Sequence, residues 1–160
     1  MLHIVLVNPQ IPPNTGNIAR LCAAMNYPLH LVKPLGFSTD DRYLKRAGLD
    51  YWPYVTVFYH ENLQSLQEKY QAHTFYYFTT KAKKSYWDVT YKEGDFLVFG
   101  SETKGLDESV LEANKETALT IPMPQKGKVR SLNLSTSVGM VVGEATRQVE
   151  TRFIASPNPR

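Results

Sequence analysis

Cysteine is almost absent from this chain. A single Cys22 excludes an internal disulfide and fits a reducing, cytosolic setting. Long apolar runs are missing too. The longest uncharged stretch near the C-terminus, Ser131 to Gly143, is too short and too rich in Ser, Thr and Asn to span a bilayer. The opening MLHIVLVNP has neither the basic start nor the long apolar stretch of a signal peptide. The expectation is a cytoplasmic protein with no membrane partner. Charge of one sign is only in slight excess: 18 Lys and Arg against 15 Asp and Glu give a net charge of +3, which by itself announces no polyanionic partner.

Several common chemical signatures are also lacking. No G-x-G-x-x-G follows the first apolar run, and no G-x-x-x-x-G-K-[ST] loop occurs. There is no G-x-S-x-G elbow. The four histidines (His3, His30, His60, His73) are scattered, two of them inside strand-like runs, so no metal centre is expected. Cys22 falls on the apolar face of a helix and reads as core rather than nucleophile.

What is present is alternation. Short apolar runs at 2–7, 29–34, 54–58, 74–80, 96–100 and 118–123 read as strands. Helical patterns fall between them at Thr15–Tyr27, Asp40–Gly48, Glu61–Tyr70 and Asp107–Asn114, with a long final helix at Asn133–Phe153. Continuous apolar strands separated by helices predict an α/β fold, a mostly parallel sheet covered by helices on both faces. At 160 residues, with no linker and no repeat, a single domain over 1–160 is expected. Ligands of such sheets bind beyond the carboxyl ends of the strands, so the loops at 8–17, 78–88, 100–106 and 122–133 are the ones to inspect. They are also where the cations gather. KAKK (81–84) and KGKVR (126–130) hold six of the 18 Lys and Arg residues, and Arg42, Lys45 and Arg46 form a third cluster. Tyr43, Tyr51, Trp52, Tyr86 and Trp87 lie among or just after them, the combination an RNA surface uses and also one that a solvated basic surface would show.

Three stretches carry unusual residues. In NTGNIAR (14–20), Ile18, Leu21, Cys22 and Met25 mark a buried helical stripe, and Arg20 points away from it. Asn14 is placed to cap that helix, whose N-terminus with Arg20 would suit a phosphate or a developing oxyanion. In FGSETKGL (99–106) a strand ends at Gly100, where a ligand could approach the backbone closely. In the segment 121–145, Ile121 and Met123 flank Pro122, Ser131 and Asn133 open the last helix, and Ser135, Gly139 and Gly143 form a slim face.

Taken together, NTGNIAR, FGSETKGL and IPM…SLNLSTSVGMVVGEA resemble, in order and spacing, the three motifs of the SpoU-type RNA 2′-O-ribose methyltransferases of the SPOUT superfamily, over nearly the whole chain. The small size resembles the subgroup that acts on the tRNA wobble position. The resemblance implies a C-terminal deep trefoil knot, S-adenosylmethionine as cofactor with S-adenosylhomocysteine as product, no metal, and a homodimer whose RNA sites are shared between subunits. It implies tRNA as substrate, with nucleotide 34 of leucine isoacceptors the target. Carried over by position, Phe78, Thr79, Gly100, Glu102, Ile121, Met123, Ser131 and Leu134 would bind the cofactor, while Arg20, Asn14, Ser131 and Asn133 would serve the ribose.

A guanidinium, with a pKa above about 12, is a poor general base. A cationic clamp on the hydroxyl and its neighbouring phosphate is the physically better role for Arg20, with a phosphate oxygen or water taking the proton. Three alternatives stay open at this stage: 2′-O-methylation of another RNA, a non-catalytic RNA-binding protein of the same fold, and a flavodoxin-like binder of a small molecule.

Overall fold

The computed structural model describes residues 1–38, 42, 46, 51–124 and 127–150. Of the helix expected at Asp40–Gly48 only Arg42 and Arg46 are described, both helical and exposed; the end of the last helix beyond 150 and the C-terminal tail lie outside the described residues.

Six strands form one sheet: β1 (His3–Val7), β2 (Leu29–Val32), β3 (Val57–His60), β4 (Phe75–Phe78), β5 (Phe96–Phe99) and β6 (Ala118–Leu119). Their order across the sheet is β3-β2-β1-β5-β4-β6, and every pairing is parallel. Helices α1 (Pro12–Met25), α2 (Leu63–Lys69), α3 (Glu108–Ala113) and α4 (Leu134–Val149) cover it. The chain runs outward from β1 through β2 to β3, crosses to β4, inserts β5 between β4 and β1, and ends with β6 outside β4. The switch point therefore lies between β1 and β5, where the loops leaving the two strands part and open a crevice.

Side-chain alternation along the strands makes two cores. Ile4, Leu6, Leu29, Leu31, Leu97 and Phe99 face one side and pack with Ile18 and Cys22 of α1 and Val138, Val141 and Val142 of α4. Val5, Val32, Phe75, Tyr77, Phe96 and Val98 face the other side and pack with Leu66 of α2 and with Leu106, with Val110 and Leu111 of α3 against them. Both faces of the central strands are buried, which is why FYYF and FLVF read as unbroken apolar runs.

Each strand is trimmed or shifted relative to the sequence reading, and the third and sixth differ most. The third strand begins at Val57 rather than Tyr54, because Trp52–Tyr54, with Pro53 inside it, forms a 3-10 turn. The sixth is two residues long, and the backbone beyond it binds a neighbouring loop: Thr120 N donates to Lys84 O at 2.8 Å and Tyr86 N to Thr120 O at 2.9 Å.

Candidate active site

α1 does not start where Asn14 would cap it. Pro12 and Pro13 hold φ in the helical range, so the helix begins three residues earlier, after Ile11, which offers no side-chain cap. Asn14 is instead a buried residue of the first turn. The group that holds the start of the helix comes from the loop after β5. Glu102 Oε1 accepts from Gln10 N at 2.9 Å, and Glu102 Oε2 accepts from Ile11 N at 2.6 Å and from Asn14 Nδ2 at 3.3 Å. An anion there complements the helix N-terminus and holds Gln10 and Ile11, the backbone that leads into it, while the amide of Asn14 bonds Ile11 O within the turn.

Asn14 then passes the connection on. Its Oδ1 accepts from Asn133 Nδ2 at 3.1 Å. Asn133 caps α4 as the sequence predicted, its Oδ1 accepting from Ser135 N at 2.9 Å, Thr136 N at 3.3 Å and Ser135 Oγ at 2.6 Å. One hydrogen-bonded chain, Glu102–Asn14–Asn133, thus ties the three motif segments together.

Gly100 is required for a reason other than ligand approach. A Cβ built there would lie 2.1 Å from Gly105 C and 2.3 Å from Leu106 N. The space is taken by the chain's own backbone as the loop turns back: Gly105 N donates to Ser101 O at 2.9 Å, and Gly105 has φ +66°.

Beside this turn opens a cavity of about 260 Å³. Phe78, Thr79, Gly100, Glu102, Ile121, Met123, Ser131 and Leu134, all expected at a cofactor site, line it together. Sequence reasoning missed Leu106, Thr120 and Ser137, which also line it. The walls are amphiphilic: apolar Phe78, Leu106, Ile121 and Leu134, with hydroxyls from Thr79, Thr120, Ser131 and Ser137. Such walls suit a flat heteroaromatic ring joined to a polar ribose and a charged tail. The two carboxylate oxygens of Glu102 are turned to the start of α1, so its contribution to the cavity is mainly positional.

Arg20 stands apart. It is exposed, it does not line the cavity, and its Cζ lies 4.7 Å from the Tyr51 ring centroid, a cation–π contact that steadies the guanidinium. The structure therefore brings Asn14, Asn133 and Ser131 to the cavity and its rim, and leaves Arg20 on the outer face of α1.

Cys22 is buried, and burial pushes its thiol up to about 12, which makes it a packing residue with no thiolate to offer. The scattered histidines meet in space. His3 Nδ1 lies 2.9 Å from His30 Nε2, and His30 Nδ1 lies 2.9 Å from His60 Nε2, a chain across β1, β2 and β3 on the face covered by α2. Parallel register makes this chain, and no spacing in the sequence signals it. Among the described residues no group of three or more His, Cys, Asp or Glu side chains is arranged to hold a metal ion, and no helix is long and apolar enough to cross a membrane.

Comparison with known proteins places this geometry. The profile of the SpoU rRNA Methylase family matches residues 1–143. A protein of Escherichia coli strain K12 named tRNA (cytidine(34)-2′-O)-methyltransferase is 45% identical over 150 residues, covering 93% of this chain and 94% of that protein. One of the same name from Photorhabdus asymbiotica is 46% identical over 154 residues, covering 93% and 94%. A solved structure described as giving structural insights into the 2-OH methylation of C/U34 on tRNA superposes with a TM-score of 0.88 at 45% identity, covering 95% of this chain and 98% of its own. With the profile spanning most of the chain and the parallel sheet superposing on that structure, the protein belongs to the SpoU rRNA Methylase family.

Proposed function

We propose that this protein transfers a methyl group from S-adenosylmethionine to the ribose 2′-hydroxyl of nucleotide 34 of tRNA, acting in the cytoplasm as a homodimer of single-domain subunits. The observation that carries the reading is the Glu102–Asn14–Asn133 chain at the rim of one amphiphilic cavity. It supports the reading because it sets the start of α1 beside the residues that would hold the cofactor. The names of the relatives at 45–46% identity support nucleotide 34 as the target.

The cofactor, when bound, supplies an electrophilic methyl on a sulfonium, so the reaction calls for no metal. The transfer would exchange that carbon–sulfur bond for a carbon–oxygen bond, with the electron pair remaining on sulfur in S-adenosylhomocysteine and the hydroxyl proton passing to a phosphate oxygen or water. The chain's part is to position the reactants and stabilise charge. Backbone groups at 100–106 and 121–134 would hold adenine and ribose, and Phe78, Ile121 and Leu134 would sandwich the ring. Asn14 and Asn133, each fixed by the other, would orient the target ribose with Ser131. Arg20, held on Tyr51, would stabilise the forming alkoxide and grip the adjacent phosphate. A guanidinium does this without giving up its proton.

A shared site is favoured by two features. Arg20 lies outside its own cavity, and a small-residue face on α4 is left open: a Cβ at Gly139 or Gly143 would meet nothing within 4 Å, beside Met140, which is 40% exposed. Across a two-fold axis α1 and α4 of a second subunit would cover that face and bring its Arg20 to this cavity. Threading of the C-terminal segment into a knot is part of the same reading. It is supported by the contact of Gly100 with Gly105 and Leu106, and by Ser131 and Leu134 lining the cavity that this turn borders.

The test is incubation with methyl-labelled S-adenosylmethionine and total RNA, followed by mapping of the labelled nucleotide. Label on the 2′-oxygen of nucleotide 34 is the expected result. Label confined to ribosomal RNA, or RNA binding without transfer, would overturn the assignment.

A further inference from the structure

We propose that the strap from Lys81 to Trp87 is a second RNA contact: Lys83 and Lys84 neutralise phosphates, and Trp87 stacks on an unpaired base near the methylated nucleotide. This rests on the methyl-transfer reading and extends it to a surface outside the cavity.

A groove of about 610 Å³ is lined by Lys81, Lys83, Lys84 and Lys115 together with Glu108 and Glu112. It shares Thr79 and Lys81 with the cofactor cavity, so the two adjoin. The glutamates are taken: Lys81 Nζ pairs with Glu108 at 3.2 Å and Lys115 Nζ with Glu112 at 2.6 Å. Lys83 and Lys84 pair with no carboxylate among the described residues, and both are exposed. Those two charges are the groove's net excess.

The strap is not a loose loop. Ser85 and Tyr86 are buried, Ser85 pairs with Thr120 as a parallel bridge, and Tyr91 Oη donates to Tyr86 O at 2.5 Å. Thr120, to which the strap is bonded on both sides, itself lines the cofactor cavity. Trp87 follows directly, its N donating to Ser85 Oγ at 3.3 Å, and its side chain is 53% exposed. A large ring held half out of a rigid backbone, three and four residues along the same strap from two unneutralised cations, matches what single-stranded RNA requires. A duplex would offer phosphates but no free base face.

The experiment uses the full chain with methyl-labelled cofactor, tRNA, a stem–loop RNA with an unpaired loop, and a blunt RNA duplex. Trp87→Ala should raise KM for tRNA about 5- to 100-fold, as expected for one lost stack. Its kcat at saturating RNA and its cofactor affinity should stay within about twofold. Trp87→Phe, which keeps a ring, should restore most of the affinity. The double variant Lys83→Ala, Lys84→Ala should reduce the slope of log affinity against log salt by about 1.4, two single-strand phosphate contacts at about 0.7 each. The stem–loop should quench tryptophan fluorescence, the duplex should not, and the quenching should vanish in Trp87→Phe. Normal transfer with unchanged KM in both Trp87→Ala and the lysine double variant would overturn this proposal alone. A change in the sedimented mass of Trp87→Ala would overturn it too, because the ring would then serve a subunit contact. No methyl transfer to RNA by the unmodified protein would instead overturn the function it rests on.

Discussion

Replacing Glu102 by Gln asks whether a carboxylate from the β5 loop sets the start of α1. The native oxygens accept three donors, Gln10 N, Ile11 N and Asn14 Nδ2, at 2.9, 2.6 and 3.3 Å. Glutamine keeps one carbonyl oxygen, and its amide nitrogen must face donors. One charge-assisted hydrogen bond is lost, worth about 1.5–3 kcal/mol. The favourable anion at the helix N-terminus is lost as well, about 0.3–1 kcal/mol. The two backbone bonds sit at an exposed rim where water competes, so the lower end applies and the expected cost is about 2 kcal/mol. In a chain of this length that lowers Tm by roughly 4–8 °C. Asn14 loses its partner at the same time, so kcat should fall tenfold or more, at about 1.4 kcal/mol per decade, while cofactor affinity changes little. Urea unfolding, cofactor calorimetry and single-turnover transfer read the three quantities. Stability within 0.5 kcal/mol of the native protein, a margin set by ordinary surface substitutions, would refute the helix-anchoring argument. A normal kcat in a destabilised variant would refute the link from Glu102 to the site.

Gly100→Ala should cost at least about 3 kcal/mol, because the added carbon meets backbone rather than a movable side chain, and should weaken cofactor binding at least about tenfold; urea denaturation and calorimetry check both. The histidine chain predicts acid sensitivity. Burial first, then neighbouring positive charge, lowers His3 from its ordinary 6.5 to about 4 and His30 to about 3. The unfolded chain therefore binds more protons than the folded one below pH 6.5, so stability is full above that pH and falls as pH drops toward 4 and then 3. The loss between pH 7 and 5 should be about 3 kcal/mol in urea titrations, given coupling between the two groups, and His30→Gln should flatten the slope; a pH-independent midpoint would contradict the neutral chain.

The strands were legible because a parallel sheet buried on both faces needs continuous apolar runs, and FYYF and FLVF supply them. Strand order was not, since crossover helices leave pairing unspecified in the sequence. That missing register is why the meeting of His3, His30 and His60 could not be foreseen. The cavity wall was legible residue by residue through the motif resemblance, and all eight positions line it. What local rules misjudged was long-range. Asn14 looked like a cap, yet Pro12 moved the helix start, and Glu102, 88 residues on, binds the Asn14 side chain and the backbone leading into the helix. Gly100 looked like room for a ligand, and the room is filled by Gly105 and Leu106. Arg20 was rightly placed opposite the apolar stripe, but nothing local reveals that it stands outside its own cavity.

The proposed composite site is tested most directly by complementation between two inactive chains. Arg20→Ala removes the guanidinium, and Ser137→Trp fills the cavity. Co-expressed, random pairing makes half the dimers mixed, and each mixed dimer holds one site with an intact arginine and an intact cavity if the two come from different subunits. Transfer should then return to about a quarter of the native level, from two chains that are inert alone. No recovery in dimers shown to be mixed would mean that arginine and cofactor meet within one subunit, and the shared-site account would be wrong.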